Sequence, residues 1–93
     1  MARDQCYGAG AVRVSVLYFA GLRDSLGISE EALELPEPVR TVGDLCDHLA
    51  RRHRAYAERR AIVRVARNEA FAVDAERLAD GDVIALIPPV AGG

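Results

Sequence analysis

Hydrophobic and polar residues alternate along several short segments, the first at residues 12–20. One parity of this segment carries Val12, Val14, Val16 and Tyr18, whereas the other parity begins polar and ends apolar. Alternation with a period of two predicts a β-strand with one buried face. Comparable segments predict further strands at 32–35, 62–67, 70–73 and 83–87.

One long segment has helical spacing instead. Thr41 and Asp44 have the spacing of a capping box, which predicts a helix that begins at Thr41 and ends between residues 53 and 59. A shorter helical turn is predicted over residues 21–27, where Gly27 suits a left-handed cap. The buried side of the main helix is predicted to consist of Val42, Leu45, Cys46 and Leu49.

The order strand, turn, strand, helix, strand, short strand, strand predicts an α+β fold. One amphipathic helix has to cover one face of a small mixed sheet of about five strands. The first and last strands are expected to lie parallel in its middle, which is the β-grasp, or ubiquitin-like, arrangement. We expect a loose extension at 1–11, the domain at 12–88 and an extended tail at 89–93. By parity Arg67 points inward, and its long side chain is expected to reach back to solvent.

The end of the sequence has an unusual composition. Pro88 and Pro89 follow the last strand, and proline ends a strand ladder because it has no N–H to donate. Fully extended, the residues from Pro89 onward reach roughly 17 Å. A glycine pair has no Cβ, so it passes through a channel too narrow for other residues. We therefore expect this tail to deliver a C-terminal carboxylate, although a frayed terminus is the alternative. The tail consists of Pro89, Val90, Ala91, Gly92 and Gly93.

Composition narrows the classes of function. The 93 residues are 51% hydrophobic and 28% charged, which is typical of one globular domain. The net charge of −2 predicts no attraction to nucleic acid or to an anionic membrane. The basic cluster at 51–60 contains one aromatic residue, Tyr56, and is explained by the dipole of the preceding helix. No apolar run of membrane length and no signal peptide is evident, so we expect a cytoplasmic protein.

The sequence contains no recognisable catalytic constellation. It has no Gly-rich phosphate loop and no serine–histidine–acid order. His48 and His53 are five residues apart and do not share a helix face, so no metal site is predicted. Cys6 and Cys46 are expected to be free thiols, the latter in the core. Catalytic groups for chemistry at the tail would have to come from a partner.

Apolar residues also occupy the outward parity of the predicted sheet. Together they are expected to form an exposed patch beside the tail where a partner docks, with Arg23 adding a polar contact at its edge. The alternative is that a loop or the N-terminal extension covers the patch. The patch consists of Leu17, Phe19, Phe71 and Ile87.

Several segments together resemble one family. The Tyr-Phe-Ala-x-Leu-Arg stretch and the Pro-Pro-Val-x-Gly-Gly end are the specific ones. On these residues the chain resembles the small subunit of molybdopterin synthase, a sulfur-carrier protein of the β-grasp class. The 1–11 extension and Arg67, where the family usually has an apolar residue, depart from the pattern. The matching segments are 17–24, Gly27, 41–42, 68–69, 78–82 and 88–93.

The resemblance implies a reaction cycle. A partner similar to ubiquitin-activating enzymes uses ATP to adenylate Gly93, and a sulfur donor such as a cysteine desulfurase or rhodanese converts the adenylate to a thiocarboxylate. The tail then enters the large synthase subunit and gives sulfur to cyclic pyranopterin monophosphate, forming the molybdopterin dithiolene. The resemblance implies a heterotetramer of two large and two small subunits. It also implies no tightly bound cofactor and no catalysis by this chain alone.

Three other functions remain open at this point. Carriers for thiazole, cysteine or transfer-RNA thiolation also end in Gly-Gly. A ubiquitin-like modifier would use the same activated Gly93 to join lysines of other proteins. An interaction domain with an inert tail would tolerate a residue added after Gly93, whereas every carrier would lose its function.

Overall fold

Five β-strands provide the framework of the fold. The computed structural model describes residues 12–36 and 38–89. Among these residues, the strands form one sheet with the order β2-β1-β5-β3-β4. Their bounds are β1 Val12–Tyr18, β2 Glu30–Leu35, β3 Arg64–Arg67, β4 Ala70–Phe71 and β5 Asp82–Ile87.

The strands nearest the two ends of the described chain, β1 and β5, are neighbours in the middle of the sheet. β1 and β5 are parallel neighbours, with Val16 opposite Ile84. β2 is antiparallel to β1, and β3 is antiparallel to both β5 and β4. A parallel pair needs a long crossover, which the intervening helices and strands supply. The predicted arrangement with parallel terminal strands in the middle is confirmed.

Within the described residues, three α-helices lie between the strands. They are α1 (Ala20–Leu26), α2 (Val42–Arg52) and α3 (Arg54–Arg59), and a 3₁₀ turn, Arg60–Ile62, follows α3. The capping box of α2 is confirmed: the Asp44 N–H donates to Thr41 Oγ1 at 3.1 Å, and the Thr41 N–H donates to Asp44 Oδ2 at 3.1 Å. In residues 12–36 and 38–89, none of these helices has the length and apolar content that crossing a bilayer requires.

Several predicted boundaries are wrong by one or two residues, and two of them have a clear physical reason. The main helix ends at Arg52, because His53 adopts an extended conformation with φ −130° and ψ 107°. This turns the His53 ring toward Glu31, and its Nε2 lies 2.8 Å from Glu31 Oε2. The third strand begins at Arg64 rather than two residues earlier, because the preceding segment forms the 3₁₀ turn.

The turn between β3 and β4 is confirmed at Asn68 and Glu69. Both residues have left-handed φ angles, 51° and 75°. The short strand that follows ends at Phe71, two residues earlier than predicted. The Ala72 N–H still donates to Val65 O at 2.9 Å, so the chain stays beside β3 for one more residue.

The inward faces of the sheet and helices form the core as predicted. Alternate residues of β1 and β5 are buried, and so is the predicted stripe of α2. Leu22 of α1 and Leu33 and Leu35 of β2 join the same cluster. Close packing of these side chains supplies most of the driving force for folding.

Arg67 points inward by parity, as predicted, but its side chain is paired. Its Nε–H donates to Asp82 Oδ2 at 2.7 Å, and Asp82 is only 5% exposed. Asp82 also accepts hydrogen bonds from Asn68 Nδ2 at 2.9 Å and from the Ala79 N–H at 2.8 Å. Burial opposes ionisation of Asp82, but these donors outweigh it and hold its pKa below the usual value. A charged inward position is therefore tolerated because it is neutralised locally.

Candidate docking face and tail exit

The face of the sheet opposite the core carries a row of small and apolar residues. In register, Leu17 of β1 lies opposite Ala85 of β5, Ala85 opposite Ala66 of β3, and Ala66 opposite Phe71 of β4. Residues opposite one another in a sheet share a face, so the row crosses four strands. We call this surface the open face. We define it by Leu17, Phe19, Arg64, Ala66, Phe71, Val83, Ala85 and Ile87, which leaves out the charged outward residues of β1 and β2, Arg13, Glu30 and Glu34.

The open face keeps large apolar side chains accessible. Phe71 is 62% exposed and Phe19 is 41% exposed, whereas Leu17 and Ile87 are half-buried. Ala66 points outward as predicted but is buried, and it lies between Ala85 and Phe71 in the register of the sheet. The structure therefore brings together the four residues predicted from parity.

The backbone is strained at Ala20, directly after Phe19, where the chain turns from the sheet into α1. Phe19 itself is extended, with φ −122°, but Ala20 has φ +52°, which a side chain with a Cβ disfavours. The chain then enters α1, whose Leu22 is fully buried in the core. Because the chain changes direction at Ala20, Phe19 is exposed whereas Leu22, three positions later, is buried. The exposed Arg23 follows on α1, and its backbone N–H donates to Phe19 O at 3.3 Å.

The exit of the tail is set by the central strand. β5 lies between β1 and β3, and its last residue, Ile87, is opposite Arg64. Pro88 is buried and Pro89 is exposed, so the chain returns to solvent two residues after Ile87, the last open-face residue of β5. The tail residues Val90, Ala91, Gly92 and Gly93 lie outside the described residues, as do Cys6 and the rest of the 1–11 extension.

A polar cluster between β1, β2 and the end of α2 was not predicted. The buried Tyr18 donates its hydroxyl to Glu31 Oε2 at 2.5 Å, and His53 Nε2 lies 2.8 Å from the same oxygen. Arg52 reaches the other oxygen of Glu31 at 3.2 Å. The tyrosine and histidine rings meet edge to face with centroids 5.7 Å apart. Glu31 has the same parity as Leu33 and Leu35, so it faces the core. An acidic residue at an inward position needs hydrogen-bond or charge partners, and this was the signal in the sequence from which the cluster could have been predicted.

The protonation states of this cluster follow from burial and hydrogen bonding. The pKa of Tyr18 is raised far above its usual value, mainly by burial and secondly by the hydrogen bond to Glu31. The Tyr18 hydroxyl therefore stays protonated and acts as a hydrogen-bond donor. Burial also opposes ionisation of Glu31, but hydrogen bonds from Tyr18 and His53 outweigh it and lower its pKa. Glu31 is thus held as a carboxylate that joins α2 to the sheet.

The buried cysteine and several arginines of the basic cluster have structural contacts. Cys46 is a buried free thiol, as predicted, and burial raises its pKa, which disfavours the reactive thiolate. In the part of the chain that the structure describes, no three His, Cys, Asp or Glu side chains are grouped as metal ligands. Three arginines of the basic cluster form ion pairs, namely Arg52 with Glu31, Arg54 with Glu58 and Arg60 with Asp47. Such pairing fits a solvated surface better than a nucleic-acid site.

Comparison with known proteins places these features in a family. The ThiS family model matches residues 16–93. The molybdopterin synthase sulfur carrier subunit of Chlamydomonas reinhardtii is 34% identical over 84 residues, covering 88% of this chain and 100% of that protein.

Solved structures share the fold. The putative molybdopterin converting factor, subunit 1, of Pyrococcus furiosus is 39% identical with a TM-score of 0.74, covering 85% of this chain and 99% of that one. Small archaeal modifier protein 1 of H. volcanii is 30% identical, with a TM-score of 0.74 and coverage of 85% and 99%. At 23% identity and a TM-score of 0.66, subunit 1 in a complex of subunits 1 and 2 of the Helicobacter pylori molybdopterin-converting factor shares the fold; the match covers 88% of this chain and 100% of that one.

The fold and its neighbours define a ubiquitin-like β-grasp protein. Within that class, the chain belongs to the ThiS family.

Proposed function

We propose that this chain is the sulfur carrier subunit of a molybdopterin synthase and that its reactive group is the carboxylate of Gly93. The observation that carries the proposal is the position of β5, which holds the start of the tail at the edge of an exposed apolar face. The Chlamydomonas relative, whose full length this chain covers, is a molybdopterin synthase sulfur carrier subunit, and this similarity supports the same assignment.

The chemistry explains why such a carrier needs partners. A carboxylate is a poor electrophile, so an activating enzyme transfers AMP from ATP to Gly93 and releases pyrophosphate. A sulfur donor then displaces AMP and leaves a thiocarboxylate, a soft sulfur nucleophile that is ionised at neutral pH. The large subunit binds the tail, and sulfur passes to cyclic pyranopterin monophosphate. Two such transfers complete the dithiolene.

The described residues support a docking role and offer no catalytic role. Hydrogen bonds or packing account for Cys46, Tyr18 and Glu31, which lie on the core side rather than on the open face. Leu17, Phe19, Phe71 and Ile87 form the surface that we propose for the large subunit, and we propose that the exposed Arg23 adds a polar contact at its edge. A large exposed apolar patch is typical of an interaction site.

The decisive experiment is the intact mass of the purified protein. It is measured before and after incubation with ATP, a cognate ubiquitin-activating-like enzyme and a sulfur source. We expect a gain equal to one oxygen-for-sulfur exchange, which requires ATP. The gain is lost when Gly93 is deleted or when one residue is added after it. An unchanged mass, with an activating enzyme that modifies its own carrier, would refute the proposal.

A ubiquitin-like modifier is the second candidate. It is favoured by the 30% identity to the archaeal modifier protein. Both candidates share the adenylate, so the mass gain alone does not separate them. Covalent adducts of this chain on lysines of other proteins, found by peptide mass spectrometry, would establish the modifier. Sulfur transfer to the pterin substrate with the large subunit would establish the carrier.

A further inference from the structure

One residue of the open face does not fit an ordinary apolar docking surface. Arg64 lies on this face, opposite Ile87 and two positions before Ala66 on the same strand. It is exposed, and its guanidinium carbon lies 4.3 Å from the centroid of the Phe71 ring. A cation over an aromatic face is attracted to the ring's negative face, so Phe71 holds the guanidinium beside the apolar row.

Unlike Arg60 and Arg67, Arg64 has no countercharge among the described residues. Arg67 pairs with Asp82 and Glu76, and Arg60 pairs with Asp47. Among residues 12–36 and 38–89, no carboxylate lies within ion-pair distance of Arg64. Within the described residues, Arg64 is therefore a positive charge that lies beside apolar side chains of the open face and has no carboxylate partner there.

That charge restricts what can cover the face. Burying an arginine under an apolar partner removes its hydration, and without a countercharge this costs a large amount of free energy. A carboxylate suits a guanidinium because two parallel N–H groups fit its two oxygens. A partner that covers Phe19 and Phe71 has to bring an acidic side chain to Arg64.

We propose that Arg64 selects the docking partner by charge and that the partner surface carries an Asp or Glu side chain opposite it. The proposal rests on the proposed function, because it takes the large subunit of the synthase as the partner. Arg64 lies opposite Ile87, the residue before Pro88, so an ion pair here fixes the partner relative to the start of the tail. Arg64 is thus a positioning residue rather than a catalytic one.

The salt dependence of binding tests the proposal. The Kd of the complex with the cognate large subunit is measured at low and high salt for the wild type and for Arg64→Gln, Arg64→Lys and Arg64→Glu. At low salt we expect Arg64→Gln to bind about tenfold more weakly and Arg64→Glu about 100-fold more weakly, as for close charge pairs at other interfaces. The salt dependence should flatten in Arg64→Gln and persist in Arg64→Lys, which keeps the charge.

A matched control separates the local contact from net charge. Arg51→Glu makes the same charge change at an exposed position of α2, on the opposite side of the sheet. It should leave the Kd within about twofold of the wild type, because it alters only the long-range field. Thermal unfolding of each variant confirms that the fold is retained. A reciprocal change of one acidic residue of the large subunit to Arg should restore binding of Arg64→Glu.

The outcomes distinguish this inference from the function on which it rests. If the wild type binds and Arg64→Gln binds equally well with the same salt dependence, only the role of Arg64 is refuted. The guanidinium would then merely stack on Phe71 in solvent. If the wild type does not bind the large subunit, the proposed function loses its partner and the inference is overturned with it.

Discussion

The two faces of the sheet are formed by the same strands, but one face is buried in the core and the other remains accessible. On the core side, Val16 and Ile84 are fully buried beneath α2. On the open side, their neighbours Leu17 and Val83 remain partly accessible. Because side chains alternate along a strand, odd and even positions of the strand point to opposite faces of the sheet. Changes on the core face should therefore cost stability, whereas changes on the open face should cost binding.

The two arginines of β3 show the same division. Arg67 faces inward and is neutralised by the buried Asp82. Arg64, three positions earlier, faces outward and stacks on Phe71. A charge on the core side needs a partner within the chain, since burial without one is costly. A charge on the open side remains solvated until another molecule covers it.

The largest effect is expected from Ile84→Ala, which leaves a cavity in the core. We expect the free energy of unfolding to fall by about 2–5 kcal/mol. The matched control is Val83→Ala on the same strand, which is 38% exposed and should cost less than about 1 kcal/mol. Urea unfolding of both variants gives the comparison. Equal losses would contradict the division between the faces.

Asp82→Ala is expected to have the next largest effect. It removes the acceptor for Arg67, Asn68 and Ala79, and we expect a loss of about 2–3 kcal/mol at neutral pH. Glu58→Ala is the control, because it breaks only an exposed pair with Arg54 and should cost about 0.3–0.5 kcal/mol. A loss as small as that of the control would show that the buried pair does not stabilise the fold.

The contribution of Asp82 to the free energy of unfolding should depend on pH. Its pKa in the folded protein lies below the unfolded value of about 3.9, so folding favours the ionised form. The stabilisation is therefore complete above about pH 4 and is lost as the pH falls through the folded pKa. Urea unfolding of wild type and Asp82→Ala at a series of pH values should show their difference shrinking in acid. A difference that stays constant would refute this account.

Phe19→Arg tests the open face directly. Phe19 is partly exposed, so its replacement should change the free energy of unfolding by less than about 1 kcal/mol. Affinity for the large subunit should fall about tenfold or more, because a buried aromatic contact would be replaced by a charge. Calorimetric titration and urea unfolding of the same sample separate the two effects. Unchanged affinity would remove Phe19 from the docking surface.

The smallest effect is expected at Ala20, where the chain passes from the open face to the core. Its φ of +52° is unfavourable for alanine but not for glycine. Ala20→Gly should raise the free energy of unfolding by roughly 0.5 kcal/mol, because relief of strain exceeds the added chain entropy. A thermal melt detects the change. Destabilisation instead would mean that the conformation is not strained.

Local patterns were sufficient to predict most of the fold. Alternation located β1 and β5, and the Thr41–Asp44 spacing located the start of α2. Parity placed Phe71 and Leu17 on one outward face, although these residues are far apart in sequence. Each prediction succeeded because the determining interactions occur within a few residues or follow from strand geometry.

The sequence by itself determined the order of the strands and of the main helix, the apolar inward side chains and the apolar residues of the open face, because secondary-structure periodicity is local. Only the tertiary structure decided that His53 leaves the helix to meet Glu31 and that Asp82 neutralises Arg67. It also placed the guanidinium of Arg64 over Phe71. These contacts join residues from separate elements, and their partners are selected by distance and burial in the folded chain.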